Sequence, residues 1–108
     1  MQGPGPLVAY YIALQDGIGF DRVLARTTDN GAVSELAYNT ELYPYLSLVD
    51  WDGDTYFSRL QMRRVIPELE RLKTEELAPA LGEGVDAVLT LARRCAEHGN
   101  SFLVFVGD

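Results

Sequence analysis

The chain is poor in the side chains that carry out most enzyme chemistry, with one histidine, one cysteine and one lysine among its 108 residues. The lone cysteine, Cys95, excludes an intrachain disulfide and is typical of a cytoplasmic protein. One histidine and one cysteine also fall short of an ordinary zinc site unless carboxylates complete it. The sequence therefore predicts no catalytic residue, no metal site and no cofactor.

Long apolar runs are missing as well. The longest, Leu7–Leu14, has eight residues, which is too short for a membrane-spanning helix or for the apolar part of a signal peptide. Residues 1–6 (MQGPGP) predict a disordered leader or an expression remnant. A single domain over residues 7–108 is then near the most common domain size. We expect a cytoplasmic protein with no membrane partner.

Basic residues are scarce: nine Lys and Arg side chains stand against sixteen Asp and Glu side chains, for a formal net charge of −7. Residues 1–54 hold eight acids and two bases, whereas residues 55–108 hold eight acids and seven bases. Phosphate binding depends on clustered Lys and Arg, so this charge argues against nucleic acid as a partner. It permits a basic protein partner, although net negative charge also simply keeps a small protein soluble.

What is present is the composition of a globular domain, with 47% apolar residues. Leu7–Leu14 and Ser101–Val106 are apolar on both alternating faces, so they predict buried strands that lie adjacent at the centre of a sheet. Arg22–Thr28 and Ala32–Tyr38 flank Asn30-Gly31. Because Asn-Gly is a strong hairpin signal, these two segments predict a pair of strands.

Two helices follow a short strand predicted at Thr55–Phe57. The first helix has an apolar face of Met62, Val65, Ile66, Leu69 and Leu72. Ser58 and Gln61 match a capping box before it. Pro67 either falls in the first turn of this helix, if the helix starts near Arg64, or bends it. The second helix is predicted over Val85–His98, after a connector at Glu75–Gly84.

The charged side chains of the first helix are predicted on its outer face. Arg64 and Glu68, and likewise Glu70 and Lys73, have the spacing of solvated ion pairs. The fold class that follows is α+β: a single small domain with a mostly antiparallel sheet of three to five strands and two helices packed on one face. The second face would then be covered by residues 39–57, by a second copy of the chain or by a partner.

Two patterns suggest chemistry, and each has an ordinary structural interpretation that we favour. Cys95 and His98 have the i, i+3 spacing that could activate a thiol, but Cys95 continues an apolar stripe and predicts a core residue. Asp50, Asp52 and Asp54 match the start of an EF-hand calcium loop. The loop lacks its required Gly and its final Glu, so this segment predicts a solvated turn.

One segment stands out as a candidate binding site. Residues 38–57, which we call the acidic aromatic segment, hold six of the eleven aromatic residues, four acids and no base. Aromatic rings surrounded by carboxylates are good anchors for a partner rich in Arg and Lys. The rings could instead cover the open sheet face. The candidate partner-binding residues are Tyr43, Tyr45, Asp50, Trp51, Asp52, Asp54 and Tyr56.

The stretch Gly53–Met62 (GDTYFSRLQM), the helix after it (RRVIPELERL) and the ending Phe102–Asp108 (FLVFVGD) carry a resemblance. The chain resembles a group of small uncharacterised bacterial proteins that share D-x-x-G-D-T-x-F-x-R-L-Q-M and a terminal F-x-G-D. The resemblance covers about the second half of the chain and implies membership without an activity. It directs attention to Asp54, Thr55, Arg59, Gln61 and Asp108.

Three functions remain open from the sequence. The favoured one is a non-enzymatic acidic protein that binds, and by analogy with immunity proteins or antitoxins inhibits, a basic protein partner through the acidic aromatic segment. The second is a small-ligand or enzyme site centred on Asp54, Arg59, Arg63 and Asp108, which predicts a concave pocket holding all four. The third is a structural homodimer joined across the uncovered sheet face.

Overall fold

The computed structural model describes residues 11–17 and 22–107. The strands are β1 (Tyr11–Asp16), β2 (Val23–Thr27), β3 (Asp54–Ser58) and β4 (Ser101–Val106), and the helices are α1 (Ala32–Leu36), α2 (Met62–Lys73) and α3 (Pro79–Glu97). A 3-10 turn at Leu46–Leu48 interrupts the long connection between α1 and β3. The predicted leader, residues 7–10 of the first predicted strand and Asp108 lie outside the described residues.

The four strands form one sheet in the order β2-β1-β4-β3, and every neighbouring pair is antiparallel. The expectation that the first and last predicted strands are central neighbours is therefore confirmed. Ile12 pairs with Phe105 and Leu14 pairs with Leu103, and because strand side chains alternate, these four residues share one face. That face carries the core, so the predicted α+β class is also confirmed.

The helices cover the core face of this sheet. α3 packs against β1, β2 and β4, and α2 packs alongside α3. The predicted apolar face of the second helix is buried, including Val85, Val88, Leu89, Ala92 and Cys95. Within the described residues, no helix has the length and apolar character needed to cross a membrane.

The predicted hairpin at Asn30-Gly31 is wrong. Both residues do adopt positive φ, 55° at Asn30 and 85° at Gly31, as the dipeptide favours. The buried Asp29 side chain, however, accepts the backbone N–H of Gly31 and of Val33 at 2.9 Å each. A carboxylate that satisfies the first free N–H groups starts a helix, so Ala32–Leu36 is α1 and not a returning strand.

The helix limits differ from the prediction at both N-termini. The capping box is present: Ser58 donates its backbone N–H to Gln61 Oε1 at 2.8 Å, and Gln61 donates its own to Ser58 Oγ at 3.3 Å. α2 accordingly begins at Met62, so Pro67 lies inside the helix and a start near Arg64 is wrong.

The predicted connector at Glu75–Gly84 is wrong over its second half, because α3 begins at Pro79 and continues through Gly82 and Gly84. A proline in the first helical position has no N–H to lose and a φ already suited to a helix. The two glycines, which weaken the helical signal in the sequence, are therefore carried inside a helix of nineteen residues.

The second face of the sheet carries a different set of side chains. Tyr11, Ala13 and Gln15 of β1 alternate onto it, as do Phe102, Val104 and Val106 of β4. Ala13 and Val104 are both 0% exposed and lie outside the main core cluster. The centre of this face is therefore covered within a single chain. The long connection between α1 and β3 places Tyr43, Leu46 and Val49 in the main core instead.

Candidate interaction surfaces

The acidic aromatic segment divides into a buried half and an exposed half. Tyr43 is only 1% exposed, and its hydroxyl donates to Glu75 Oε2 at 3.0 Å. Phe57 is 2% exposed and packs edge-on against Phe105, with ring centroids 5.8 Å apart. Tyr43 was a candidate partner-binding residue, but its position in the core does not present it to a partner.

A buried carboxylate fixes the buried half to α2. Glu68 is 7% exposed. Its Oε1 accepts the backbone N–H of Leu46 at 2.9 Å, and its two oxygens accept that of Tyr45 at 3.1 and 3.0 Å. The prediction that Glu68 lies on the outer face and pairs with Arg64 is therefore wrong. The sequence does carry a signal, because Glu68 follows Val65 by three residues and so shares its apolar face.

The exposed half is a turn at residues 50–54, which we call the acidic turn. Asp50 Oδ1 accepts the backbone N–H of Asp52 at 2.9 Å, a local bond that stabilises such turns. Gly107, directly after β4, donates its backbone N–H to the Gly53 carbonyl at 2.7 Å and holds the turn beside the sheet. Asp50, Asp52 and Asp54 are all exposed.

The three aspartates of the acidic turn do not converge on one point. Within residues 11–17 and 22–107, no group of three His, Cys, Asp or Glu side chains is placed to hold a metal ion. None of the three forms an ion pair with another described residue. They therefore present negative charge to solvent at the start of an edge strand.

Three aromatic candidates lie in or near the acidic turn and differ in exposure. Tyr56 is 46% exposed on the second sheet face, and its ring meets Phe102 edge-on with centroids 6.1 Å apart. Trp51 is partly buried and packs against the core, as does Tyr45. The structure thus leaves Tyr56 as the most accessible ring beside the three aspartates.

The four residues of the small-ligand alternative are not all brought together. Arg59 and Arg63 line one shallow groove. Asp54 begins β3 whereas Arg59 follows its end, and a strand rises about 3.3 Å per residue, so the two lie at opposite ends of the strand. Asp108 lies outside the described residues. A single pocket holding Asp54 together with the two arginines is not formed.

A second exposed surface lies at the start of α2, and the sequence indicated two of its arginines, Arg59 and Arg63, as part of the small-ligand alternative. One groove is lined by Arg59, Leu60, Met62, Arg63, Ile66, Pro67 and Ala96. A neighbouring groove shares two of these residues and is lined by Glu41, Leu42, Pro44, Tyr45, Arg63, Arg64, Pro67 and Glu68. We call the two grooves together the α2 surface.

Cys95 is a core residue, as the apolar stripe indicates. It is 0% exposed, and Ser101 Oγ lies 3.5 Å from its sulfur. Burial raises the pKa of the Cys95 thiol, and the nearby Ser101 hydroxyl and Arg59 charge only partly oppose that increase. His98 is exposed at the end of α3. A buried, neutral thiol is a poor nucleophile, so the pair does not form an activated site.

The buried Cys95 and Tyr43 predict a loss of stability at alkaline pH. Burial raises the pKa of Tyr43, and the hydrogen bond to Glu75 raises it further. Both groups ionise more readily in the unfolded chain. The stability that the two neutral groups contribute is therefore complete below an ordinary thiol pKa of 9.0. It falls as the pH rises toward the pKa values of the two groups in the folded protein. The free energy of unfolding should decrease by up to about 1.4 kcal/mol per pH unit for each group.

Urea unfolding of the wild type and of a Cys95→Ala, Tyr43→Phe double variant across this pH range tests the expectation. The double variant should show a much flatter profile. If the free energy of unfolding fell equally steeply with pH in the two proteins, other groups would be responsible for the loss of stability at alkaline pH.

Comparisons with protein-family models, with curated proteins and with solved structures find no match to this chain. The molecule is thus defined by its architecture: a small antiparallel sheet with one helical layer and two charged surfaces of opposite sign. Those two surfaces are its candidate binding sites.

Proposed function

We propose that the protein is a non-enzymatic binding domain that recognises a basic protein partner through the acidic turn and Tyr56. The observation that carries the proposal is the exposure of Asp50, Asp52 and Asp54 without an ion pair to any described residue. Arg and Lys side chains of a partner would supply the missing counter-charges. Such complementarity speeds association and orients the partner.

The neighbouring rings supply the apolar part of the proposed interface. Tyr56 offers a large surface with a polar tip, a combination enriched where proteins bind tightly. Trp51 contributes only the part of its ring that the core leaves accessible. The expected interface is therefore small and strongly charged, and its affinity should fall as salt screens the charges.

The biological role we infer is inhibition. A small acidic domain can block a basic enzyme, such as a nuclease, by steric and electrostatic occlusion and needs no catalytic residue of its own. This is the mode of action of immunity proteins and antitoxins. The inhibitory role is inferred by analogy with that class of small acidic proteins. In this proposal the cytoplasm is the place of action.

Replacing Asp52 by lysine tests the proposed site. We expect affinity capture from the source lysate at low salt to retain a basic protein on the wild type. Asp52→Lys should reduce the measured affinity about tenfold or more. Because Asp52 is exposed, the variant should melt at nearly the wild-type temperature.

The matched control is Glu83→Lys, which makes the same change of net charge at an exposed position of α3. It should leave the binding unchanged. Equal capture by the wild type and Asp52→Lys would show that the acidic turn is not the binding site. Trp51→Ala is less informative, because Trp51 also packs against the core.

The homodimer alternative is weakened by the burial of Ala13 and Val104 within one chain. The molecular mass measured by light scattering would test the homodimer alternative directly. The small-ligand alternative retains only Arg59 and Arg63 as neighbours, and those two residues belong to the α2 surface.

A further inference from the structure

The α2 surface carries three exposed arginines that form no ion pair with a described residue. These are Arg59, Arg63 and Arg64. The helix itself offers no acid to Arg63, because Ile66 and Pro67 occupy the positions three and four residues later.

Arg64 is in a similar position, although an acid does follow it at the right spacing. Glu68 lies four residues later, but it is buried and accepts the backbone N–H groups of Tyr45 and Leu46. Glu41 lines the adjoining groove and is the other acid at this surface. Its carboxylate is not within ion-pair distance of Arg64 in the described structure.

Two ion pairs join the two long helices farther along. Lys73 of α2 contacts Asp86 of α3, and Arg93 of α3 contacts Glu70 of α2 at 3.2 Å. Arg71 and Arg94 also form no ion pair with a described residue, but the three arginines at the start of α2 together line two adjoining grooves. A chain with seven excess negative charges thus has three arginines close together at this surface without an ion pair to a described residue.

Apolar side chains lie among these arginines. Leu60 is 68% exposed and Leu42 is 40% exposed. Ile66 is partly buried and Pro67 is exposed between the two grooves. Exposed apolar groups that line a groove and are bordered by polar residues are a feature of protein-binding sites.

We propose that the α2 surface binds a segment of a partner protein that carries Asp or Glu side chains beside Leu, Ile or Phe. The arginines would pair with the carboxylates, for which the planar guanidinium offers two parallel hydrogen bonds. The grooves beside Leu60 and Leu42 would receive the apolar side chains. Nucleic acid is disfavoured as the occupant, because the phosphate chain would meet the repulsion of the net charge of the protein.

This inference is independent of the acidic turn. The two surfaces carry opposite charge and would take partners of opposite charge. A variant in one should leave binding at the other intact, so the failure of either proposal can be distinguished from the failure of the other.

Selection from a displayed library of random dodecapeptides on the immobilised protein tests the proposal. We expect enrichment of peptides with net negative charge and at least one large apolar residue. A synthetic peptide from that pool should bind Arg63→Glu and Leu60→Ser about tenfold or more weakly than the wild type. The matched control is Arg94→Glu, an exposed residue of α3 outside the α2 surface, which should bind like the wild type.

Three outcomes would overturn the proposal. They are no enrichment over the unselected library, enrichment of basic peptides, and binding that Arg63→Glu leaves unchanged. Light scattering supplies a further test: a dimer of the wild type that becomes a monomer in Arg63→Glu would make a second copy of the chain the occupant. Circular dichroism of both groove variants should match the wild type, since both positions are exposed.

Discussion

Replacing Gly84 by alanine should destabilise the protein by about 3 kcal/mol or more. The added methyl group would overlap backbone atoms, which cannot move aside as a flexible side chain can. A Cβ at this position would overlap the backbone carbonyl carbon and oxygen of Asp29. Asp29 is 0% exposed, and its side chain starts α1. The methyl group would therefore force α3 away from the loop before α1.

Gly82, two residues earlier in α3, provides the matched control. A Cβ there would meet nothing within 4 Å. Alanine is favoured over glycine in a helix, so Gly82→Ala should stabilise the protein by about 0.5–1 kcal/mol. Urea unfolding followed by the fluorescence of the single tryptophan would measure both changes. Effects of the same sign in the two variants would contradict the close approach of α3 to Asp29.

Replacing Glu68 by alanine should cost about 2–4 kcal/mol, because two N–H groups would lose their acceptor where water cannot easily replace it. The two groups belong to Tyr45 and Leu46, and the latter is fully buried. Glu68→Gln retains one carbonyl acceptor and should cost less. Glu68→Leu, which fills the space without an acceptor, should resemble the alanine variant.

The matched control for Glu68 is Glu70→Ala on the same helix. Glu70 pairs with Arg93 at the surface, and an exposed pair contributes about 0–1 kcal/mol. Amide hydrogen exchange would add a local measure, since the N–H groups of Tyr45 and Leu46 should lose protection only in the Glu68 variants. A Glu68→Leu protein more stable than the wild type would show that the buried charge costs more than its hydrogen bonds contribute.

Glu68 also matters for the α2 surface. Its hydrogen bonds hold Tyr45, and through it Leu42 and Pro44, against the first turns of α2. The second groove is lined by residues of this connection and of α2, and these hydrogen bonds join its two sides. Loss of Glu68 should therefore weaken the proposed peptide binding at Leu42 more than at Leu60, which lies in the other groove.

The central strands and both long helices could be predicted from the sequence because each has a pattern that packing reinforces. Ser101–Val106 is apolar on both faces and is buried at the centre of the sheet. The capping residues Ser58 and Gln61 form the bonds their spacing predicts. In these cases the local preference and the tertiary environment agree.

The secondary-structure predictions are wrong where a tertiary contact overrides a local sequence pattern. Asn30-Gly31 takes the positive φ values of a hairpin turn, but Asp29 supplies the acceptor that starts a helix. Gly84 weakens the helical pattern, yet it is needed because α3 passes against the backbone of Asp29. Neither contact can be inferred from sequence spacing, because each depends on residues that meet only in the fold.

The candidate site was predicted in part. Composition indicated an acidic turn, and the structure leaves Asp50, Asp52 and Asp54 exposed. Composition did not indicate that Tyr43 is in the core, because aromatic residues are common in both protein interiors and interfaces. Among the arginines of the α2 surface, the sequence indicated Arg59 and Arg63 but not Arg64, because Glu68 has the spacing of a partner for Arg64 and only the burial of Glu68 reveals that it bonds elsewhere.

The place of β4 in the sheet has a consequence for synthesis. β4 follows every other described element along the chain, yet it lies between β1 and β3. As the chain leaves the ribosome, β1 and β2 can pair early, whereas β3 has no sheet neighbour until residues 101–106 emerge. Such long-range pairing is slow to form. A nascent chain stopped before Ser101 would therefore expose the inner edges of two strands, the kind of species that chaperones bind.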